Sequence, residues 1–433
     1  MNTQKYSGEG RTFARYVSQN ILSMIGMSCY IMVDTYFISK AAGADGITVL
    51  NLTLPIYSII YGLGELIGTG ASVYYAVSRS ADRERYFAQS ILWILLIGGL
   101  ISVICQPNTS RILRLMGGDP GIVALGTPYL SIVFCYTIFF MANFAFLGFI
   151  RNDGAPGLCM VATIASSIFN MIFDYVFMFL MKMGLRGAAL ATAISPIISM
   201  LICSMHFLKK ENAIRFKPGR MSVRIFIKSL RLGISACVTE MATSVTTAVF
   251  NFLVLGPRGN IGVAAYGVVA NYAIIANSFF NGIAQGSQPL ISRNYTKGDE
   301  GALRRTIFRA LATALSIAAL LYLGVWAGTD WLVALFNSEG REDLAGMAFV
   351  GMRIYFVGFF FSGFNIVMAS SLNARNESRP AAIISLGRGV VFIVVCAFLL
   401  SHLFGMTGIW MAFPAAEILT FVLVLVLTRD RKV

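Results

Sequence analysis

Five of the twenty acidic residues in the chain, Asp34, Glu65, Asp174, Glu240 and Glu417, fall inside long apolar runs. A carboxylate in a hydrocarbon environment costs at least about 2.5 kcal/mol, so each of these acids is a candidate for ion or substrate chemistry. Asn170 and Asp174 are spaced i, i+4 and share one helix face. Counting depth at ~1.5 Å per residue places Asp34, Asn170, Asp174 and Thr192 at one level, on three different runs. Two carboxylates, an amide oxygen and a hydroxyl suit a small hard cation such as Na⁺, and crowded carboxylates also share exchangeable protons. No Lys or Arg lies at that depth to neutralise them. The alternative is structural, with Asn170 and Asp174 hydrogen-bonding between helices.

The other three acids read differently. Glu240 lies near the middle of its run among Thr239, Thr243, Ser244 and Thr247. It is either a substrate or second-ion contact or a protonated hydrogen-bond donor. Glu417 has Arg388 at a compatible depth, which suggests a structural pair, and Glu65 sits beside Gly62, Gly64, Gly68 and Gly70 near the inner end of its run. Tyr136, Phe139, Phe140, Phe279 and Phe280 would hold lipophilic cations by cation–π contact if they lined a cavity; otherwise they pack helices or face lipid. His206 and His402 are far apart, and the seven cysteines are scattered with no Cys-x-x-Cys. No metal centre, cofactor or nucleophile–base pair is therefore expected, and the chain does not read as an enzyme.

These residues need a scaffold, and composition defines it. The 433 residues are 57% hydrophobic and 12% charged, with a mean hydropathy of +0.73. Soluble domains carry about 25% charge, so this chain is an all-α polytopic membrane protein. Twelve runs can span: 17–39, 48–75, 87–106, 122–147, 157–181, 187–208, 226–255, 262–288, 306–327, 346–371, 380–401 and 407–427. With the N-terminus inside, 26 of the 34 Lys and Arg residues fall in inner segments, which predicts cytoplasmic termini in the plasma (cell inner) membrane. The net charge of +14 then reflects this bias rather than nucleic-acid binding. The polar, basic start followed by a long apolar run does not read as a signal peptide.

The chain also repeats itself. The loop ending in YAVSRSADRERYFAQSI at Ile91 resembles PLISRNYTKGDEGALRRTI ending at Ile307, and RNDGAPG from Arg151 resembles RNESRPA from Arg375. Two six-helix bundles are predicted, 1–208 and 225–433, joined by the polar linker 209–224.

Several motifs resemble one known family. VDTYFIS (33–39), GTGAS (68–72), Asn170 with Asp174, GAALAT (187–192) and QGSQPLISRNY (285–295) look like the multidrug and toxic compound extrusion (MATE) transporters, of bacterial type. The resemblance covers nearly the whole chain. It implies a V-shaped pair of six-helix bundles around a central cavity, alternating between outward- and inward-facing states. It further implies antiport, in which Na⁺ or H⁺ entry drives export of organic cations and other drugs. The family's cation site maps onto Asp34, Asn170, Asp174 and Thr192, and the helix 7 carboxylate of some subfamilies onto Glu240. Two departures stand out: helix 1 lacks the proline of some members, with Gly26 instead, and residues 346–371 hold no acid. Small-molecule organic cations in a lipid bilayer are the expected partners, with no nucleic acid and a monomeric chain. A lipid-linked precursor flippase of the same superfamily is the alternative, but it would need a cationic cavity where the first half offers acids.

Overall fold

The computed structural model describes residues 2–78, 84–209, 212–216, 221–336 and 342–429. Of the basic residues counted above, Arg79, Arg83, Lys210, Lys217, Arg220, Arg341, Arg431 and Lys432 lie outside the described residues. Among the described residues there is no strand. In hydrocarbon a backbone must satisfy its own hydrogen bonds, and for these Leu-, Ile-, Ala- and Phe-rich runs a helix does so locally.

Helices α1 (Glu9–Gly43), α2 (Asp45–Val77), α3 (Tyr86–Cys105), α5 (Pro156–Leu180), α6 (Leu185–Leu208) and α9 (Glu300–Ala334) are single spans. Helix α4 is a bent pair, Pro120–Cys135 and Thr137–Asn152, and α10 is another, Glu342–Tyr355 and Gly358–Ala374. Asp119 caps α4 by accepting from Ile122 N at 2.9 Å, with Pro120 in the first turn. Val223–Lys297 is helical over 75 residues. At ~1.5 Å per residue a straight rod of that length would be over three times the hydrocarbon thickness. The rings of Phe250 and Tyr266 stack 5.0 Å apart, so the chain reverses between them. This run therefore holds two spans, α7 from Val223 to the reversal beyond Phe250 and α8 from the reversal before Tyr266 to Lys297. Ser378–Thr428 likewise holds α11 and α12, which turn at Gly405. Among the described residues the total is twelve, as the apolar runs predict.

The internal repeat is visible in the backbone. Helix α4 bends by 47° and its counterpart α10 by 46°. The α5–α6 turn rests on Gly184 (φ 55, ψ −135) and the α11–α12 turn on Gly405 (φ 56, ψ −130). Both conformations are closed to residues with a Cβ, so Gly405→Ala is expected to destabilise the fold by about 1–3 kcal/mol. Gly405 has open space around it, so that loss would report backbone strain alone. Thermal unfolding against Gly267→Ala, also in open space but without positive φ, checks this.

Contacts divide the chain into two compact units, Leu22–Glu240 and Met241–Val433 with Met1–Ile21. These limits cross the cut drawn at the linker, because the starts of α1 and α7 are exchanged. On α8, a Cβ at Gly282 would lie 2.6 Å from Ile21 Cα and one at Gly286 2.8 Å from Val17 Cα. On α7, a Cβ at Gly233 would overlap the Leu66 carbonyl of α2, and one at Gly70 the Ser229 carbonyl. Bare glycine backbones thus let α1 settle on α8 and α7 on α2. In the first unit Asp153 also anchors the linker: Oδ1 accepts from Tyr75 Oη at 2.6 Å, and Oδ2 accepts from Ala213 N at 3.0 Å and meets His206 Nε2 at 2.8 Å.

Candidate cation site

The first unit brings Asp34, Asn170, Asp174 and Thr192 together. Asn170 and Asp174 are fully buried on α5, and Asp34 on α1 and Thr192 on α6 are also buried. The α5–α6 register follows from close backbone packing, since a Cβ at Gly187 would lie 2.7 Å from the Phe177 carbonyl carbon. Ser195 Oγ adds a tie to the Ser166 carbonyl at 3.0 Å. This sets Thr192 level with Asn170.

The Asn170 amide orients so that its nitrogen donates to Asp174 Oδ2 at 3.2 Å. Its oxygen then accepts from Thr192 N and Oγ1, both at 3.2 Å. That orientation satisfies both ends of the amide, which the reverse one does not. Asp34 and Asp174 are close enough to interact directly through their carboxylates. One oxygen of each, Asp34 Oδ1 and Asp174 Oδ1, is buried with no hydrogen-bond partner. Among the described residues no Lys or Arg makes an ion pair with either acid. Two buried carboxylates without a counter-cation can hold a shared proton or a small cation, and one of these must be present when they meet.

Three tyrosines, Tyr30, Tyr57 and Tyr129, lie within electrostatic reach of Asp34, and a fourth, Tyr61, packs against Tyr57; the sequence reading missed them. Tyr30 precedes Asp34 by one turn and lies within electrostatic reach of Asp34 and Asp174. The hydroxyls of Tyr57 and Tyr129 are 3.3 Å apart. Tyr61 and Tyr30 are also within electrostatic reach of Glu240. The i, i+4 spacings Tyr30–Asp34, Tyr57–Tyr61 and Tyr61–Glu65 were the available signal.

Glu65 and Glu240 are in electrostatic reach of each other, and Arg151 is in reach of Glu65. Thr239 Oγ1 bonds back to the Ser235 carbonyl at 2.8 Å, while the side chains of Thr243, Ser244 and Thr247 lie outside the described residues. Neither Glu65 nor Glu240 joins the quartet. Glu417 belongs to the other unit and pairs with Arg388 at 2.6 Å. Of the aromatics, Phe140 packs edge-on against Tyr57 and Phe280 stacks on Phe359 in the second unit's core.

Three π-helical turns occur among the described residues: Glu65–Thr69 in α2, Val176–Leu180 in α5 and Gly387–Val391 in α11. Each contains or closely follows an intramembrane charged residue, namely Glu65, Asp174 and Arg388. Such turns are rare and concentrate at functional sites. They mark the same residues that charge and depth single out.

Comparisons with known proteins agree with this architecture. The family model MatE matches residues 20–176 and 235–420. The multidrug export protein MepA of Staphylococcus saprophyticus is 28% identical over 423 residues, covering 95% of this chain and 91% of that protein. MepA of Staphylococcus aureus strain MSSA476 is 27% identical over 413 residues, covering 93% and 90%. Among solved structures, the outward-facing conformation of a multidrug resistance MATE family transporter superposes with a TM-score of 0.90 at 19% identity, covering 98% of this chain and 96% of that one. A MOP superfamily transporter from Pyrococcus furiosus, described as having reversed binding-pocket polarity, superposes at 0.88 and 20% identity, with the same coverage of 98% and 96%. With the family model matching most of its length, the chain belongs to the MatE family: it is a multi-pass membrane transporter and not an enzyme.

Proposed function

We propose that this protein is a secondary active multidrug exporter that uses an inward Na⁺ or H⁺ gradient to drive organic, mostly cationic, compounds out of the cell. The observation behind the reading is the buried Asp34–Asp174 pair, which has unpartnered oxygens and, among the described residues, no Lys or Arg paired with it. Ion uptake at the pair neutralises buried charge and favours one arrangement of the first bundle, while substrate favours the other. Export requires that the two binding events be negatively coupled. The sequence repeats 1–208 and 225–433, joined by 209–224, are the halves proposed to alternate. The protein acts as a monomer in the plasma (inner) membrane with both termini cytoplasmic, as its Lys and Arg distribution supports. Glu240 is assigned to substrate or a second ion, and the exporter names of the MepA relatives support the substrate class.

The two coupling ions make different demands on the quartet. A proton needs only the two carboxylates of Asp34 and Asp174. Na⁺ needs further oxygens, so the Asn170 oxygen and the Thr192 hydroxyl must release each other and turn inward. Asn170→Ala and Thr192→Ala are therefore expected to abolish Na⁺-driven efflux and to leave H⁺-driven efflux largely intact. Efflux of a fluorescent lipophilic cation from proteoliposomes, under each gradient separately, checks this. Efflux that ignores both gradients would overturn the function.

A further inference from the structure

The second unit contains an oxygen cage of the same chemistry as the first unit's quartet, but a side chain already fills it. Glu417 on α12 is buried at 2% exposure, and its Oε1 accepts from Arg388 Nε at 2.6 Å. Arg388 Nη2 donates to Ser362 Oγ of α10 at 2.9 Å and to Asn277 Oδ1 of α8 at 3.4 Å. Asn365 of α10 holds the carboxylate from the other side, donating to Glu417 Oε2 at 2.8 Å and to the Glu417 carbonyl at 2.9 Å. One guanidinium from α11 is thus gripped by a carboxylate, a hydroxyl and an amide oxygen from three other helices. The π-helical turn Gly387–Val391 presents it.

We infer that Arg388 is a tethered cation permanently occupying a latent monovalent-cation site at Glu417, Ser362 and Asn277. The inference rests on the reading of Asp34 and Asp174 as the exchangeable site. Three features lead to it. The ligand types match those of the quartet, with carboxylate, hydroxyl and amide in both units. The charge balance differs, because among the described residues the quartet's two carboxylates have no basic partner while the cage's single carboxylate has one covalently attached. Arginine also keeps its proton at every physiological pH, so the occupant neither titrates nor exchanges. A lysine would do neither job as well, since its single ammonium cannot address three acceptors in fixed directions.

The consequence is a division of labour. The second unit is held in one ionic state throughout the cycle, and the ion gradient acts on the first unit alone. Removal of the guanidinium leaves a buried carboxylate that must take up a proton or a cation. Arg388 is a positioning residue in this scheme, since it contacts neither substrate nor coupling ion.

The test uses the full-length protein purified in detergent, with Arg388→Met introduced beside Asp34→Asn and Asp174→Asn so that the quartet is silent. Infrared difference spectra between acid and neutral pH read protonated carboxyl groups, and radioactive Na⁺ reads cation binding. One added proton or one added Na⁺ per chain is expected relative to the Asp34→Asn, Asp174→Asn parent, and its loss on adding Glu417→Gln. No added proton and no added Na⁺ would overturn the inference, as would a gain that survives Glu417→Gln. These readouts do not depend on whether Asp34 couples transport. Should Arg388→Met alone fail to fold, the neutral pair Arg388→Met with Glu417→Gln decides, in the otherwise native chain. It is expected to retain gradient-driven efflux with the wild-type number of ions per substrate. A changed ion count in that variant overturns the inference.

Discussion

Asp34→Asn and Asp174→Asn are each expected to reduce gradient-driven efflux to background while leaving the protein folded. Replacing either acid by its neutral isostere keeps the shape of the quartet and removes one of the two facing charges. The remaining carboxylate then has no partner with which to share a proton, and a bound cation would lose half of its counter-charge. Antiporter coupling is worth about 1–3 kcal/mol, so its loss reads as roughly a 5- to 150-fold drop in the transport response to an imposed gradient. Substrate binding in the absence of a gradient should survive, because neither acid is assigned to the drug. Parallel measurement of binding and gradient-driven efflux separates the two. Undiminished efflux in Asp34→Asn would overturn the coupling role. Thermal unfolding should show no loss, because each substitution removes a buried carboxylate that has no basic partner among the described residues.

Gly233→Leu is expected to have the largest structural effect of any single substitution in the first unit. A Cβ at that position would overlap the Leu66 carbonyl of α2, and backbone cannot rotate aside as a flexible side chain can. Helix α7 would be driven off α2 over the stretch where Gly70 meets Ser229 and Gly233. Overpacking of this kind typically costs about 1–3 kcal/mol and more where backbone must move. The folded yield and melting temperature should both fall, whereas Gly267→Ala, with open space around it, should leave both unchanged. A stable Gly233→Leu would mean that the start of α7 does not rest on α2.

Much of this architecture was legible in the chain. The twelve spans were read from unbroken apolar runs, because a helix in lipid has no alternative way to satisfy its backbone. The gathering of Asp34, Asn170, Asp174 and Thr192 was read from depth, since a helix converts residue number directly into height. The Arg388–Glu417 pair was read in the same way. The tyrosines around Asp34 were not, because an aromatic in an apolar run is equally at home against lipid, and only the neighbouring helix reveals which way a hydroxyl points. The exchange of the starts of α1 and α7 was also hidden. Glycines such as Gly70, Gly233, Gly282 and Gly286 are common in such helices, and which of them meet another backbone is a property of the assembled bundle. The π-helical turns leave no compositional trace at all.

Those turns have a consequence for comparing this chain with its relatives. A π-helical turn is an α-helix carrying one extra residue, and everything beyond it is rotated by about 100° relative to an uninterrupted helix. Deleting one residue from Val176–Leu180 would mend the regular ladder, yet it would swing the Asn170–Asp174 face away from the turn that delivers Thr192. Three single-position gaps, at 65–69, 176–180 and 387–391, are therefore the natural places for an alignment to shift register. A homologue that lacks the extra residue, but shows the same acid or arginine nearby, has that charge on a different side of its helix.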